Sequence, residues 1–396
     1  MSRAAGSTTS ASSCRCSGTG ASPGTTALST PTDAAGPPEA GAAGERTRPA
    51  ATGRAANIRD VARRAGVSHQ TVSRVLNGHP SLRTETRDRV LAAMDELSFR
   101  PNRAARALVT SRSTTIGVLV SKGFEYGPAA SLQAIDSAAR EAGYAVDVAH
   151  LDDVDADSIR SALDRLLAHG VDGLVILAPQ TQTLSEIGHL SITLPFVTVH
   201  SARAHDDHRL SMDQSGGAAL ATRHLLGLGH RRIVHVPGPD GWFETEARVR
   251  GYCGEMEAWG CEPELQLSGD WTAESGYRAG LALAGDPGVT AVFSSNDQMA
   301  LGLLHAFREG GRRVPEDVSV VGFDDVPEAA HYWPPLTTVR QDFPELGRRC
   351  VARLLGLIAE AGTGPAGDSA GAAPDVVPEL VIRASTAPAA APSSAP

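Results

Sequence analysis

The stretch 57–78, NIRDVARRAGVSHQTVSRVLNG, decides the first part of the fold. Asn57 can cap a short helix together with Asp60, and Gly66 can adopt the positive φ that ends this helix. Ser68 can then cap a second helix. Valines at positions 61, 67, 72 and 75 give both helices a shared apolar side. The pattern predicts a helix-turn-helix, a motif whose second helix lies in the DNA major groove.

A third helix is predicted downstream of this pair. It begins at Thr84, and Val90, Met94 and Leu97 follow at helical spacing on one side. Arg100 precedes Pro101, a dipeptide at which helices end. We therefore assign residues 54–100 to a small all-α headpiece.

Charge separates this end of the chain from the rest. The 396 residues carry a formal net charge of −9, yet residues 54–112 hold twelve Arg against five acidic residues, which is 12 − 5 = +7. The remaining residues therefore carry −9 − 7 = −16. A basic module joined to an acidic body is typical of a chain that meets nucleic acid at one end.

Polar side chains on the second helix are the first candidates for DNA contacts. His69, Gln70, Ser73 and Arg74 point away from the apolar side, and Gln and Arg can read base edges. The alternative is an ordinary solvated helix face, which the local positive charge disfavours. The segment RPNRAARALVTSRS follows, in which arginines and Leu108 could enter a minor groove, although a plain linker would show the same spacing.

Both ends of the chain have low complexity. Residues 1–53 contain 42 Ala, Thr, Ser, Gly and Pro residues, too few large apolar side chains to form a core, so we expect a disordered leader. Residues 386–396 are expected to form a disordered tail. Five cysteines without paired spacing, and no long apolar run or export signal, favour a reducing cytoplasm and no membrane partner.

The region from about 115 to 360 alternates short Val- and Ile-rich runs with amphipathic stretches. The runs are Thr115–Val120, Tyr144–Ala149, Gly173–Leu177, Phe196–Val199, Ile233–Val236, Ala291–Phe293 and Val318–Val321. The stretches include Ser158–His169, Gly217–Leu228, Ala247–Trp259 and Gln298–Glu309. This alternation predicts an α/β body of parallel sheets covered by helices on both faces.

Polar and aromatic residues follow several of these strands. Asn296, Asp324 and His200 stand after predicted strands, Arg248 opens a helix and Trp271 lies in a loop. Open α/β sheets bind ligands at the carboxyl ends of their strands. Carboxylate, amide and guanidinium groups beside an aromatic face suit a sugar, although each residue alone could be a helix cap or a loop hydrogen bond.

Several strings together resemble the lactose-repressor / galactose-repressor family of bacterial transcription regulators. They are DVA, AGVS-x-QTVSRVLN and PN-R-A-x-x-L in residues 57–112, NDQMALG at 296–302, SVVGFDD at 319–325 and PPLTTVRQDFPELG at 334–347. The resemblance implies a headpiece and a hinge helix, followed by a periplasmic-binding-protein-like core of two doubly wound parallel-sheet subdomains. The hinge would be 101–113, the N-subdomain 114–211 with 341–385, and the C-subdomain 212–340.

The same resemblance assigns roles to individual residues. DNA contacts would come from Ser68, His69, Gln70, Ser73, Arg74, Asn77, Asn102, Arg103, Arg106 and Leu108, with Leu108 wedged into the operator centre. Effector contacts would come from His200, Arg248, Trp271, Asn296, Asp324, Gln341 and Phe343. The context GDW-x-A-x-SG with RQDF is similar to galactoside-responsive members, but His200 stands where those members carry Asp.

The expected function is that of a transcriptional repressor, neither an enzyme nor a user of a cofactor or metal. A homodimer would hold a palindromic operator and release it when a mono- or disaccharide binds. Three alternatives stay open: a corepressor-type or activating regulator with a non-galactoside effector, a sugar-binding transport protein and a sugar-cleaving enzyme. His205, Asp206, Asp207 and His208 have metal-ligand types, but a solvated loop explains them better, and no phosphate-binding or hydrolase motif occurs.

Overall fold

The structure of the protein is a computed structural model. It describes residues 56–76, 79, 82–100, 112–121, 125–151, 153–177, 179–190, 192–201, 209–361 and 374–389. The predicted leader 1–53, most of the hinge, the loop 205–208 and residues 390–396 of the tail lie outside these ranges.

The headpiece folds as the sequence predicts. The Asn57 side chain accepts hydrogen bonds from the backbone N–H groups of Arg59 and Asp60, and the Asp60 carboxylate accepts one from the Asn57 N–H at 3.0 Å. Gly66 ends the first helix at φ +65°. The valines at 61, 72, 75 and 90 are buried between the helices, whereas Val67 is half-buried. The three helices are α1 (Ile58–Ala65), α2 (His69–Leu76) and α3 (Thr84–Glu96).

The first sheet of the body is entirely parallel. Its strands lie in the order β2-β1-β3-β4-β5, and its apolar side chains pack against helices on both faces. The strands are β1 (Thr115–Val120), β2 (Ala145–His150), β3 (Gly173–Leu177), β4 (Phe196–Val199) and β5 (Arg209–Leu210). The helices between them are α4 (Tyr126–Glu141), α5 (Ala156–Ala168) and α6 (Thr181–Gly188).

The second sheet has the order β11-β10-β9-β8-β6-β7 and is parallel except for β11. Its strands are β6 (Ile233–Val236), β7 (Glu264–Leu265), β8 (Ala291–Ser294), β9 (Ser319–Asp324), β10 (Thr337–Arg340) and β11 (Glu379–Val381). Its helices are α7 (Gln214–Gly227), α8 (Phe243–Ala258), α9 (Ala273–Ala284) and α10 (Asp297–Glu309). A 3₁₀ helix covers Pro327–His331, and helix α11 (Phe343–Ala361) returns to the first sheet.

The chain passes between the two sheets three times, after β5, after β10 and before β11. The predicted assignment of 341–385 to the N-subdomain is therefore wrong at its end, because β11 pairs antiparallel with β10 in the second sheet. The crossing is marked by a bridge between Met212 and Val376. Helix α11, in contrast, packs on α4, β3 and β4 of the first sheet.

The described part of the tail is bound to the second subdomain. The Ala387 carbonyl accepts a hydrogen bond from His230 Nε2 at 3.0 Å, and the Ala389 N–H donates to the Leu228 carbonyl at 2.9 Å. His224 Nε2 contacts Thr386 Oγ1 at 3.0 Å. The predicted start of the tail at 386 is therefore too early, since residues 386–389 belong to the folded body.

Candidate functional site

The predicted DNA-reading residues of α2 share one solvent-facing surface. Ser68, His69, Gln70 and Arg74 are exposed and Ser73 is half-exposed, whereas Val72 and Val75 on the opposite side are buried. The Ser68 hydroxyl accepts a hydrogen bond from the Thr71 N–H at 3.1 Å. It therefore caps α2 and fixes the start of this surface.

The other predicted DNA contacts cannot be placed in the same way. Asn77 follows α2 directly, and Asn102, Arg103, Arg106 and Leu108 belong to the hinge segment. All five lie outside the described residues, so their contact with DNA remains a prediction from sequence.

A single cleft between the two subdomains brings together the predicted effector residues. His200 and Phe343 come from the N-subdomain side, and Gln341 from the crossing after β10. The C-subdomain supplies Arg248, Trp271, Asn296 and Asp324. The space between these side chains, counted together with the open solvent at the mouth of the cleft, is about 680 Å³. The residues predicted from the sequence are thus neighbours in space, while their contact with an effector remains a prediction.

A buried polar network forms the floor of this cleft. Arg248 donates through Nε to Gln214 at 2.9 Å, through a second nitrogen to the Ser295 carbonyl, and its third nitrogen lies 3.4 Å from Asp324. Gln341 donates to Asp324 at 2.7 Å and accepts from Gln214 at 2.7 Å. The polar groups therefore hold one another in place before any ligand binds, which reduces the ordering cost of binding.

The aromatic wall of the cleft is held by an unusual backbone. Trp271 adopts φ +68°, and its carbonyl accepts a hydrogen bond from Asn296 Nδ2 at 3.0 Å. Asn296 also caps α10 by accepting from the Met299 N–H at 2.8 Å. A Cβ at Gly238 would lie 2.2 Å from the indole, so glycine is needed for this close approach. The indole Nε1 is buried with no hydrogen-bond partner among the described residues, which leaves a donor for a ligand.

Burial controls the electrostatics of the cleft. It raises the pKa of Asp324 to about 6, although Arg248 and Gln341 both favour the carboxylate. The neighbouring Asp297 is also buried, beside Asp324, and its pKa lies well above its usual range. Desolvation lowers the pKa of Arg248, while Asp324 acts in the opposite direction. The Arg248 guanidinium also stacks 3.9 Å from the centroid of Phe323, which shields the pair from water.

Sequence reasoning missed several residues of the cleft. Tyr126, Gln214, Trp242 and Glu244 also line it. Tyr126 packs edge-on against Phe343 with ring centroids 5.9 Å apart, and Trp242 packs edge-on against Trp271 at 5.5 Å. The available signal was their place in the chain, because each lies within the first few residues of a helix or directly before it.

Backbone contacts join the two subdomains beside the cleft. Gln180 and Trp242 form an isolated antiparallel bridge. The Thr181 N–H donates to the Gly241 carbonyl and the Phe243 N–H to the Pro179 carbonyl, each at 2.9 Å. These bonds hold the start of α8 against the N-subdomain.

Within the described ranges, His, Cys, Asp and Glu side chains form no group of three that could hold a metal ion. None of the helices in those ranges combines the length and apolar character that a bilayer crossing requires.

Family models match both parts of the chain. Residues 57–102 match the model described as bacterial regulatory proteins, lacI family, and residues 222–386 match a periplasmic binding protein-like domain.

Characterised regulators are similar over most of their length. The lactose operon repressor of Escherichia coli K12 is 36% identical over 300 residues, covering 75% of this chain and 83% of that protein. The HTH-type transcriptional repressor PurR of Haemophilus influenzae PittEE is 33% identical over 339 residues, covering 83% of this chain and 98% of that protein. The regulator CelR of Thermobifida fusca is 36% identical over 317 residues, covering 74% of this chain and 89% of that protein.

Solved structures agree with this sequence similarity. The Lac repressor dimer bound to operator and the anti-inducer ONPF matches with a TM-score of 0.71 at 33% identity, over 84% of this chain and all of that one. A complex of the transcriptional regulator CelR with cellobiose matches with a TM-score of 0.59 at 30% identity, over 83% of this chain and 99% of that one. The chain therefore belongs to the lacI family of bacterial regulatory proteins, which are DNA-binding transcriptional regulators rather than enzymes.

Proposed function

We propose that this protein is a repressor that binds a palindromic operator as a homodimer and is released when a small saccharide binds in the cleft. One observation carries the proposal: side chains from both subdomains converge on one preorganised cleft, in a chain whose headpiece presents a solvent-exposed polar helix face. A ligand that contacts both subdomains can favour one of their relative orientations over another.

The chemistry of the cleft supports a saccharide. Aromatic faces at Trp242, Trp271 and Tyr126 suit the C–H faces of a sugar ring, and the polar floor suits its hydroxyls. A regulator similar to this chain has been solved with cellobiose. His200 replaces the Asp expected for galactoside-responsive members, so we propose a mono- or disaccharide without restricting it to galactosides.

The headpiece and the hinge would make the DNA contacts. The exposed face of α2 would read the major groove, and the hinge segments of two subunits would meet in the minor groove at the operator centre. A similar repressor has been solved as a dimer on its operator. This role places the protein at the chromosome in the cytoplasm.

Release would follow from a coupling free energy between the cleft and the headpiece, typically about 1–3 kcal/mol. Such coupling is reciprocal, so the operator would weaken effector binding by the same factor. A corepressor would act in the opposite direction at the same site.

The test begins with an operator selected from random duplexes by the full-length protein. Binding to this duplex and to a scrambled one is measured by fluorescence anisotropy at two salt concentrations. Mono- and disaccharides are screened by thermal shift, since a ligand at 100 times its Kd adds about 2.7 kcal/mol of stability. We expect a stabilising sugar to weaken operator binding. Salt-sensitive binding without sequence preference would exclude the specific-repressor role. Tighter operator binding in the presence of the sugar would indicate that the sugar acts as a corepressor.

Two variants separate the two sites. Leu108→Ala should lose affinity for the selected operator more than for the scrambled duplex, with an unchanged sugar-induced thermal shift. Trp271→Ala should lose the response to sugar and retain operator binding. A folded Trp271→Ala protein that no longer binds the operator would contradict the assignment of the cleft.

A further inference from the structure

The cleft contains a carboxylate that the polar network does not use. Glu244 lies in the first turn of α8 and lines the cleft. Its own backbone N–H interacts with the carboxylate, whereas Oε2 is buried and has no hydrogen-bond partner among the described residues. A buried acceptor without a partner costs free energy, so a ligand that supplies a donor gains affinity there.

The neighbouring cation, Arg248, does not hydrogen-bond to this carboxylate. All three nitrogens of Arg248 are directed to Gln214, the Ser295 carbonyl and Asp324. Burial accordingly raises the pKa of Glu244 to about 7, only partly offset by Arg248. The guanidinium is thus already engaged and is not available to an anionic ligand either.

The charge balance of the cleft points in the same direction. Among its described lining residues, Glu125, Glu244 and Asp324 carry carboxylates and only Arg248 carries a cation. The lining carries −3 + 1 = −2 with Glu244 ionised and −2 + 1 = −1 with Glu244 protonated, so it is negative in both states. A phosphate or carboxylate on the ligand would be repelled, since opposite charges are attracted and like charges repelled more strongly in a partly dry cleft.

The residue that precedes Glu244 contacts His200, the position at which this chain departs from the resemblance. His200 stands where galactoside-responsive members carry Asp, and its ring packs against Phe243, with centroids 5.2 Å apart. Phe243 directly precedes Glu244 in the chain. The start of α8 thus contacts His200 through Phe243 and contributes the Glu244 carboxylate to the same cleft.

We infer that Glu244 is a specificity-determining residue: it accepts a hydrogen bond from a hydroxyl or ammonium group of the effector, and the cleft thereby selects neutral or cationic saccharides against anionic ones. The inference rests on the proposed function, because it concerns the ligand class of the same cleft. It goes beyond that proposal by specifying the charge of the ligand and the side chain that recognises it.

The test uses matched saccharides and the full-length protein. Glucose, glucosamine and glucuronate, the corresponding galactose series, and cellobiose with its diamino and uronic acid analogues are titrated calorimetrically. Wild type should bind neutral or amino members at least tenfold more tightly than the matched acids. Glu244→Gln should lower the affinity for the preferred ligand about tenfold and reduce the discrimination against the acidic sugars. A preference for hydroxyl over ammonium members, or the reverse, identifies the donor.

The matched control is Glu246→Gln, which makes the same change at an exposed position two residues along α8 and should leave all affinities unchanged. Equal affinities of wild type and Glu244→Gln for every sugar, or a wild-type preference for acids, would overturn the inference and leave the saccharide proposal standing. If no member of any class binds wild type, the saccharide proposal itself fails and the inference fails with it. Glu244→Gln should fold, because it removes an uncompensated buried acid.

Discussion

The headpiece and the cleft are built from contacts of very different range along the chain. The capping box of α1 joins Asn57 to Asp60, three residues away. In the cleft, Arg248 reaches Gln214, Ser295 and Asp324, which are 34, 47 and 76 residues away. The polar face of α2 meets solvent, whereas the cleft residues are buried and bind one another. The proposed DNA-reading surface thus depends on locally specified structure, and the proposed effector site depends on the packing of the whole body.

The largest expected effect comes from breaking the long-range network. Arg248→Ala would leave Asp324 buried without its cation, and removing one partner of a buried pair typically costs about 3–5 kcal/mol. Urea denaturation followed by fluorescence should show this loss. Arg278→Ala, at a mostly exposed arginine, should cost less than about 1 kcal/mol. Equal stabilities of the two variants would mean that the network does not hold the cleft together.

A smaller effect should appear in the pH dependence of stability. The pKa of Glu244 is about 7 in the folded protein, above that of an exposed Glu, so folding opposes its ionisation. Wild type therefore loses stability from this group as pH rises from about 4.5 to 7, whereas Glu244→Gln does not. The thermal stability of Glu244→Gln relative to wild type should be highest near pH 8, by up to about 3 kcal/mol, and lowest near pH 5. A constant difference across this range would show that Glu244 is not desolvated.

The headpiece should behave differently, because the Arg74 side chain lies on the exposed face of α2. Arg74 is exposed, so Arg74→Ala should leave the melting temperature unchanged. If Arg74 reads a base, operator affinity should fall by about 1–3 kcal/mol with a smaller loss on a scrambled duplex. Arg87→Ala, at an exposed position of α3, is the control and should weaken both duplexes alike. Equal losses on both duplexes for Arg74→Ala would reduce its role to phosphate contact.

This contrast also explains what could be predicted from sequence. The strands Thr115–Val120 and Gly173–Leu177 were predicted with their observed bounds, because buried parallel strands form continuous apolar runs. The end of the chain was harder to place. The sheet that accepts β11 depends on which edge lies open after folding, and the sequence does not show this.

The missed cleft residues have a related cause. The amphipathic stretch was predicted to begin at Ala247, whereas helix α8 begins at Phe243, so Trp242 and Glu244 lay before the predicted stretch. Helix α7 was predicted to begin at Gly217 and begins at Gln214. The polar side chains of these first turns face the cleft, and in sequence they cannot be distinguished from side chains that face solvent. Only the packing of distant elements distinguishes them.

The smallest effect compares two helix caps. Asn57→Ala removes the cap of α1, and loss of such a cap costs about 1 kcal/mol. Hydrogen exchange of the full-length protein should show amides of α1 exchanging about fivefold faster, with the body unchanged. Asn296→Ala also removes a cap, but Asn296 bonds the Trp271 carbonyl 25 residues away as well. It should therefore destabilise α10 by more than Asn57→Ala destabilises α1 and weaken the response to sugar. Equal and purely local effects of the two substitutions would contradict the distinction between a locally built headpiece and a cleft assembled over long range.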